Sequence, residues 1–118
     1  MRRLSSLTIT PVGGKVAVVA IGSSSTAGGS ASSSAATYPS VLQTLLAGRR
    51  DIAAFTVYNK GIGGDTLAGT QKRLQDDVFA LNPQLVILQA GTNDAVNGKS
   101  AAALADFCLL YTSDAADE

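Results

Sequence analysis

Three short apolar segments, none of them strictly alternating with polar residues, constrain this chain more than any other feature. They are Val16-Ala17-Val18-Val19-Ala20-Ile21, Phe55-Thr56-Val57-Tyr58 and Leu85-Val86-Ile87-Leu88. A strand with one wet face shows period two, whereas a run that is apolar throughout belongs to a strand covered on both faces. Helical spacing fills the intervals. Tyr38, Val41, Leu42, Leu45 and Leu46 recur at i, i+3, i+4, i+7 and i+8, with Pro39 acceptable in a first turn and Gly48 suited to the end. Leu67, Leu74, Val78 and Leu81 share one face of a second helix, capped by Asp65 or Thr66 and stopped by Asn82-Pro83. Ser100 is placed to cap a last helix, Ala101 to Phe107. Alternation of apolar strands with helices predicts a parallel α/β sheet with right-handed crossovers, helices on both faces and the first strand at the centre.

Size and charge narrow the function classes. A chain of 118 residues accommodates one small domain at most. Nine Lys+Arg against nine Asp+Glu leave no net field to attract nucleic acid, and the apolar runs fall far short of a bilayer-spanning helix. Histidine is absent, which excludes zinc sites built on it, and the lone Cys108 makes no internal disulfide. Met1-Arg2-Arg3 resembles the start of a signal peptide, but Ser5, Ser6, Thr8, Thr10 and Pro11 break the apolar stretch that should follow. Residues 1–14 therefore read as a leader segment without a convincing secretion signal, and the chain as soluble.

In open parallel sheets a site forms at the carboxyl ends of the strands. All three apolar runs here end in loops of Gly, Ser, Thr, Asn and Asp: Gly22 to Thr26, opening a Gly/Ser/Ala-rich loop that extends to Thr37, then Asn59 to Thr66, and Gly91 to Asp94. Each alone is an ordinary turn or helix cap, the third an Asx-type turn. A phosphate-binding loop does not fit, because no Lys follows Gly28 and no G-x-G-x-x-G occurs at the first strand end. Acyl transfer uses the residues better. Ser24, directly after a buried strand, is held rigidly with its own N–H at the sheet edge. Gly64 offers a second backbone N–H and permits close approach of main chain, and Asn93 offers a side-chain amide. Three donors around one nucleophile form an oxyanion hole, in which a single donor is worth about 3 to 4 kcal/mol of transition-state stabilisation.

Ala20-Ile21-Gly22-Ser23-Ser24-Ser25-Thr26-Ala27-Gly28, then Asn59-Lys60-Gly61-Ile62-Gly63-Gly64-Asp65-Thr66, then Gly91-Thr92-Asn93-Asp94 resemble, in order and spacing, the first three sequence blocks of the SGNH/GDSL hydrolases. The resemblance spans Lys15 to about Phe107. It implies a flavodoxin-like three-layer α/β/α sandwich and hydrolysis of carboxylic esters of small molecules, as in esterases and lipases, without metal or cofactor. Ser24 is by that resemblance the nucleophile, and its N–H, the Gly64 N–H and the Asn93 side chain form the oxyanion hole. Ser23 stands where the family usually has aspartate. The family's last block, an Asp-x-x-His supplying base and orienting acid, has no counterpart, and neither Asp94 nor Asp65 corresponds to that acid. The second reading is a non-catalytic α/β module that uses the same loops to hold a small molecule or acyl group.

Cys108 to Glu118 holds the chain's cysteine, its glutamate and three of its nine acids, and it resembles the translation of a sequencing-library adapter. Residues 108–118 are accordingly expected to be a non-native tail and residues 15–107 a C-terminally truncated hydrolase-like domain, inactive for lack of its base and open at the edge of its third strand. Without the tail the formal charge is +3, from nine basic and six acidic residues.

Overall fold

In the computed structural model, which describes residues 8–96 and Gly98, the elements follow the expected alternation. They are β1 (Lys15–Gly22), α1 (Ser24–Ala27), α2 (Tyr38–Ala47), β2 (Ala54–Gly61), α3 (Leu67–Asp77), β3 (Leu85–Leu88) and α4 (Thr92–Val96). Single 3-10 turns occupy Ser34–Ala36 and Phe79–Leu81. The sheet order is β2-β1-β3 with every pair parallel, so the most apolar strand takes the centre, as its sequence predicts. Gly22 pairs with Gly61 and Ile21 with Leu88, which brings the three strands to a common carboxyl edge.

Successive residues of β1 point to opposite faces and fill two separate cores. Val16 and Val18 pack with Ala53 and with Leu42 and Leu46 of α2. Val19 and Ile21 pack on the other face with Leu74 of α3 and with Val78. These four β1 residues are at most 2% exposed, and full burial of each contributes about 1.5–3 kcal/mol. Helix, sheet and helix thus form the three-layer sandwich.

Four local expectations need correction. Gly22 to Thr37 is not wholly loop: α1 begins at Ser24, closed by Gly28 in the left-handed conformation (φ 100°). Val41 and Leu45 of α2 lie at the solvent side, 45% and 67% exposed. The helix is turned so that Pro39, Leu42 and Leu46 face inward, because Gln43 reaches the free edge of β2. Its Nε2 donates to the Phe55 carbonyl (3.0 Å), and its Oε1 accepts from the Val57 N–H (2.6 Å). β2 continues past Tyr58 through Asn59, Lys60 and Gly61, since Ala20, Ile21 and Gly22 of β1 offer continuous pairing whatever the side chains. Gly91 to Asp94 is not an isolated Asx turn but leads into α4, with Asn93 and Asp94 in its first turn. The expected helix Ala101 to Phe107, the tail 108–118 and residues 1–7 lie outside the described residues.

A fifth expectation is corrected in part: the second helix stops four residues short of Leu81, and a 3-10 turn, Phe79–Leu81, fills the interval to Asn82-Pro83. α3 closes at Asp77, Val78 caps it, and Asn82 adopts the left-handed conformation (φ 48°) before Pro83. Of the two candidate caps, Thr66 takes the role, its Oγ1 accepting from the Gly69 N–H at 3.1 Å.

Candidate active site

The three polar loops meet at the carboxyl edge of the sheet, held by side chains that cross from one to the next. Gly22 and Gly61, the last residues of β1 and β2, let the loops close on each other. A Cβ at Gly61 would collide with the backbone N of Ala27, and one at Gly22 would lie 2.7 Å from Gln89 Oε1. Asn59 then bridges the first two loops, its Nδ2 donating to the Thr26 carbonyl and its Oδ1 accepting from the Gly61 N–H, both at 2.9 Å.

Ser24 is the first residue of α1 and is exposed, whereas Ser23 before it is buried. The Ser23 hydroxyl makes no cap bond to its own turn. It donates instead to Gln89 Oε1 (3.1 Å), which also accepts from the Ser23 N–H (3.0 Å) and from Thr26 Oγ1 (3.3 Å). Thr26, fully buried, additionally meets the Tyr38 hydroxyl at 3.1 Å. The turn that carries Ser24 is therefore bonded on its inner side and open on its outer side.

Gly64 sits in the second loop at φ 80°, exposed, in a conformation that favours glycine. Asn93, half-buried, donates from Nδ2 to the Asp65 carbonyl at 2.8 Å, which fastens the third loop to the residue after Gly64. One N–H of that amide is thereby committed to the backbone, and a second remains. Among the described residues, no hydrogen bond joins Ser24 directly to Gly64 or Asn93. Their neighbours make the connections.

Three charged groups, Arg73, Asp65 and Asp94, brace this edge. Arg73 of α3 donates from Nε and Nη2 to Asp65 Oδ2 (3.1 and 2.7 Å), and from Nη1 to Asp77 Oδ2 (2.7 Å) and the Lys60 carbonyl (3.0 Å). Its Nη2 also lies 3.4 Å from the Gly22 carbonyl, so one guanidinium spans the ends of β1 and β2. Burial alone would lower the Arg73 pKa, but the hydrogen bonds to Asp65 and Asp77 outweigh it and the net shift is upward. Asp65 also accepts from the Thr66 N–H and the Thr70 hydroxyl, consistent with a bracing carboxylate. Buried Asp94 accepts the Leu67 N–H at 2.8 Å and so holds the start of α3 from the third loop.

Three of these contributors escaped the sequence reading. Gln89 left one signal, an amide placed where an apolar run stops at the sheet edge. Arg73 left an i, i+4 pair with Asp77. Asp94 left none beyond its place beside Asn93, because a cap supplied from a distant loop has no fixed spacing. Among the described residues no group of three His, Cys, Asp or Glu side chains is arranged to hold a metal ion, and no helix is long and apolar enough to cross a membrane. A groove between α2 and the start of β2, lined by Leu46, Arg50 and Phe55 among others, lies at the opposite end of the sheet from these loops.

Residues 20–112 match the profile of the GDSL-like Lipase/Acylhydrolase family. No curated protein matches the chain. Among solved structures, AlinE4, an SGNH-hydrolase family esterase, is similar at 30% identity and TM-score 0.64, over 79% of this chain and 49% of that one. TesA is similar at 28% identity and TM-score 0.68, over 77% and 49%. A variant of Axe2, an acetyl xylan esterase from Geobacillus stearothermophilus, is similar at 30% identity and TM-score 0.57, over 69% and 41%. The chain thus spans about half the length of the solved esterases it matches.

Proposed function

Because the chain belongs to the GDSL-like lipase/acylhydrolase family, we propose that it carries the nucleophile and oxyanion hole of a serine ester hydrolase acting on small-molecule carboxylic esters. The observation that carries this reading is the meeting of three loops at one sheet edge, with Ser24 exposed on a turn bonded from behind. Ser24 Oγ attacks the ester carbonyl carbon, the carbonyl oxygen gains negative charge, and collapse expels the alcohol to leave an acyl-enzyme that water hydrolyses. The Ser24 N–H, the Gly64 N–H and the remaining Asn93 N–H stabilise that developing charge. Turning Asn93 Nδ2 fully toward the oxyanion requires exchange of its bond to the Asp65 carbonyl.

The reaction needs a base to take the Ser24 proton, and residues 1–118 contain no histidine. On this reading the base comes from outside the chain, and the 118 residues alone turn over esters poorly. Loss of a triad member leaves about 10³- to 10⁴-fold acceleration over water at best.

The test is labelling by a fluorophosphonate with imidazole supplied as the base. Serine oxygen bonds to phosphorus, fluoride leaves, and the proton passes to imidazole. One adduct on Ser24 is expected, rising with imidazole and absent in Ser24→Ala. If the chain binds acyl ligands but gives no Ser24-dependent adduct, the binding-module reading replaces this one. Rapid p-nitrophenyl acetate turnover by the unsupplemented chain would contradict the need for an external base.

A further inference from the structure

We propose that Gln89 is the positioning residue of the nucleophile turn, acting through Ser23; the proposal rests on Ser24 being the nucleophile. Gln89 follows β3 directly, and its N–H continues the sheet by donating to the Ile21 carbonyl at 3.0 Å. Its backbone is therefore fixed to the central strand two residues before Ser23. From there the side-chain carbonyl collects the Ser23 N–H, the Ser23 O–H and the Thr26 O–H at 3.0–3.3 Å. Those donors flank Ser24 in sequence and are themselves buried. One oxygen thus defines where the turn lies relative to the sheet.

The surroundings fit that role. The Ser23 N–H, which can only donate, orients the amide with its oxygen toward Ser23, and Gln89 Nε2 then donates to Thr92 Oγ1 at 3.4 Å. Gly22 is required by the approach, since a Cβ there would lie 2.7 Å from Gln89 Oε1 and 2.8 Å from the Gln89 carbonyl. Ser23 is matched to Gln89 as donor to acceptor. A carboxylate at position 23 would set acceptor against acceptor unless the amide turned over. Turning over would leave the backbone N–H of position 23, which can only donate, facing the amide nitrogen. Gln89 and Ser23 therefore form one recognition pair, in which serine and glutamine together do the positioning.

Gln89→Leu keeps the bulk and removes the acceptor, whereas Gln89→Glu keeps an acceptor. The experiment measures fluorophosphonate labelling of the 118-residue chain with imidazole, as a function of probe concentration. Displacement of a reacting group by about 1 Å costs on the order of 100-fold, so Gln89→Leu is expected to lower the limiting labelling rate constant by roughly 10- to 100-fold. The half-saturating probe concentration stays the same. Gln89→Glu, which retains the acceptor, restores the rate to within about threefold of wild type. A residue that merely held the fold would reduce the fraction of chain labelled and leave the rate constant intact. Thr26→Val, which removes one donor from the same oxygen, reports on the network with a several-fold loss should Gln89→Leu unfold the chain. Labelling that survives Ser24→Ala overturns the hydrolase reading and this proposal with it. Labelling that depends on Ser24 but is unchanged in Gln89→Leu, or in Thr26→Val where that variant substitutes, overturns the Gln89 proposal alone.

Discussion

Replacing Arg73 with methionine tests the bracing of the sheet edge most directly. The guanidinium makes three bonds to carboxylates and two to strand-end carbonyls, and the Arg73 and Asp65 side chains are only 17% and 11% exposed. Arg73→Met leaves Asp65 buried with the Thr66 N–H and Thr70 hydroxyl as its remaining donors. Breaking a buried pair from one side costs about 3–5 kcal/mol, and the two surviving donors place the expectation at about 3 kcal/mol. Asp77 is more open, at 28%, and its share is about 0.5–1 kcal/mol. For a domain of this size, 1 kcal/mol moves the melting point by about 4–8 °C, so the combined loss of about 3.5–4 kcal/mol should lower it by about 14–32 °C. Urea unfolding followed by far-ultraviolet circular dichroism measures the loss. A double-mutant cycle with Asp65→Asn should return a coupling of about 2 kcal/mol, because the second substitution removes the stranded charge. A loss below 1 kcal/mol for Arg73→Met, or additivity in the cycle, would refute the claim that this ion pair holds the ends of β1 and β2 together.

Further outcomes follow from other contacts. Asp94→Ala strands the Leu67 N–H and should cost about 1–3 kcal/mol, with faster hydrogen exchange at Leu67; Asp94→Asn, which keeps an acceptor, should cost less. Thr66→Ala should lower stability by about 1 kcal/mol through loss of its cap, and Thr66→Ser should recover most of it. Gly61→Ala drives a methyl into the Ala27 backbone and should destabilise by about 1–3 kcal/mol, with shifts in the amide resonances of Ser24 to Gly28. Gln43→Leu frees the Phe55 carbonyl and Val57 N–H on the outer edge of β2, and sedimentation should then show more self-association than wild type at the same concentration.

Much of the architecture was legible because it follows from local patterning. The apolar runs located all three strands, and the absence of alternation in β1 foretold a central strand covered on both faces. Thr66 marked the start of α3 through capping, and Asn82-Pro83 marked the end of the 3-10 turn that follows the helix, through the geometry of the residue before proline. The family resemblance rested on short blocks at strand ends, whose Gly, Ser and Asn residues recur where backbone must turn sharply or approach another loop. The errors have a common cause. Val41 and Leu45 share helical spacing with Leu42 and Leu46, but spacing does not say which side of a broad apolar stripe meets the sheet; Gln43, clasping the edge of β2, decides that. Asn59 to Gly61 has the composition of a turn, yet pairs as strand because β1 runs alongside it.

By itself the sequence determined the strand–helix alternation, the parallel sheet, the family, and the place of Ser24, Gly64 and Asn93 on three successive strand-end loops. Periodicity, capping and turn chemistry act over a few residues, so they are written along the chain. Tertiary structure alone decided what fastens those loops together: Gln89 to Ser23 and Thr26, Asn59 to Thr26, Arg73 to Asp65 and the end of β1, Asn93 to Asp65, and Asp94 to Leu67. Most of these partners lie between 27 and 66 residues apart or are chosen among several equivalent polar neighbours. A side-chain hydrogen bond between loops has no sequence period, and only the tertiary fold brings its two ends within 3.4 Å of each other.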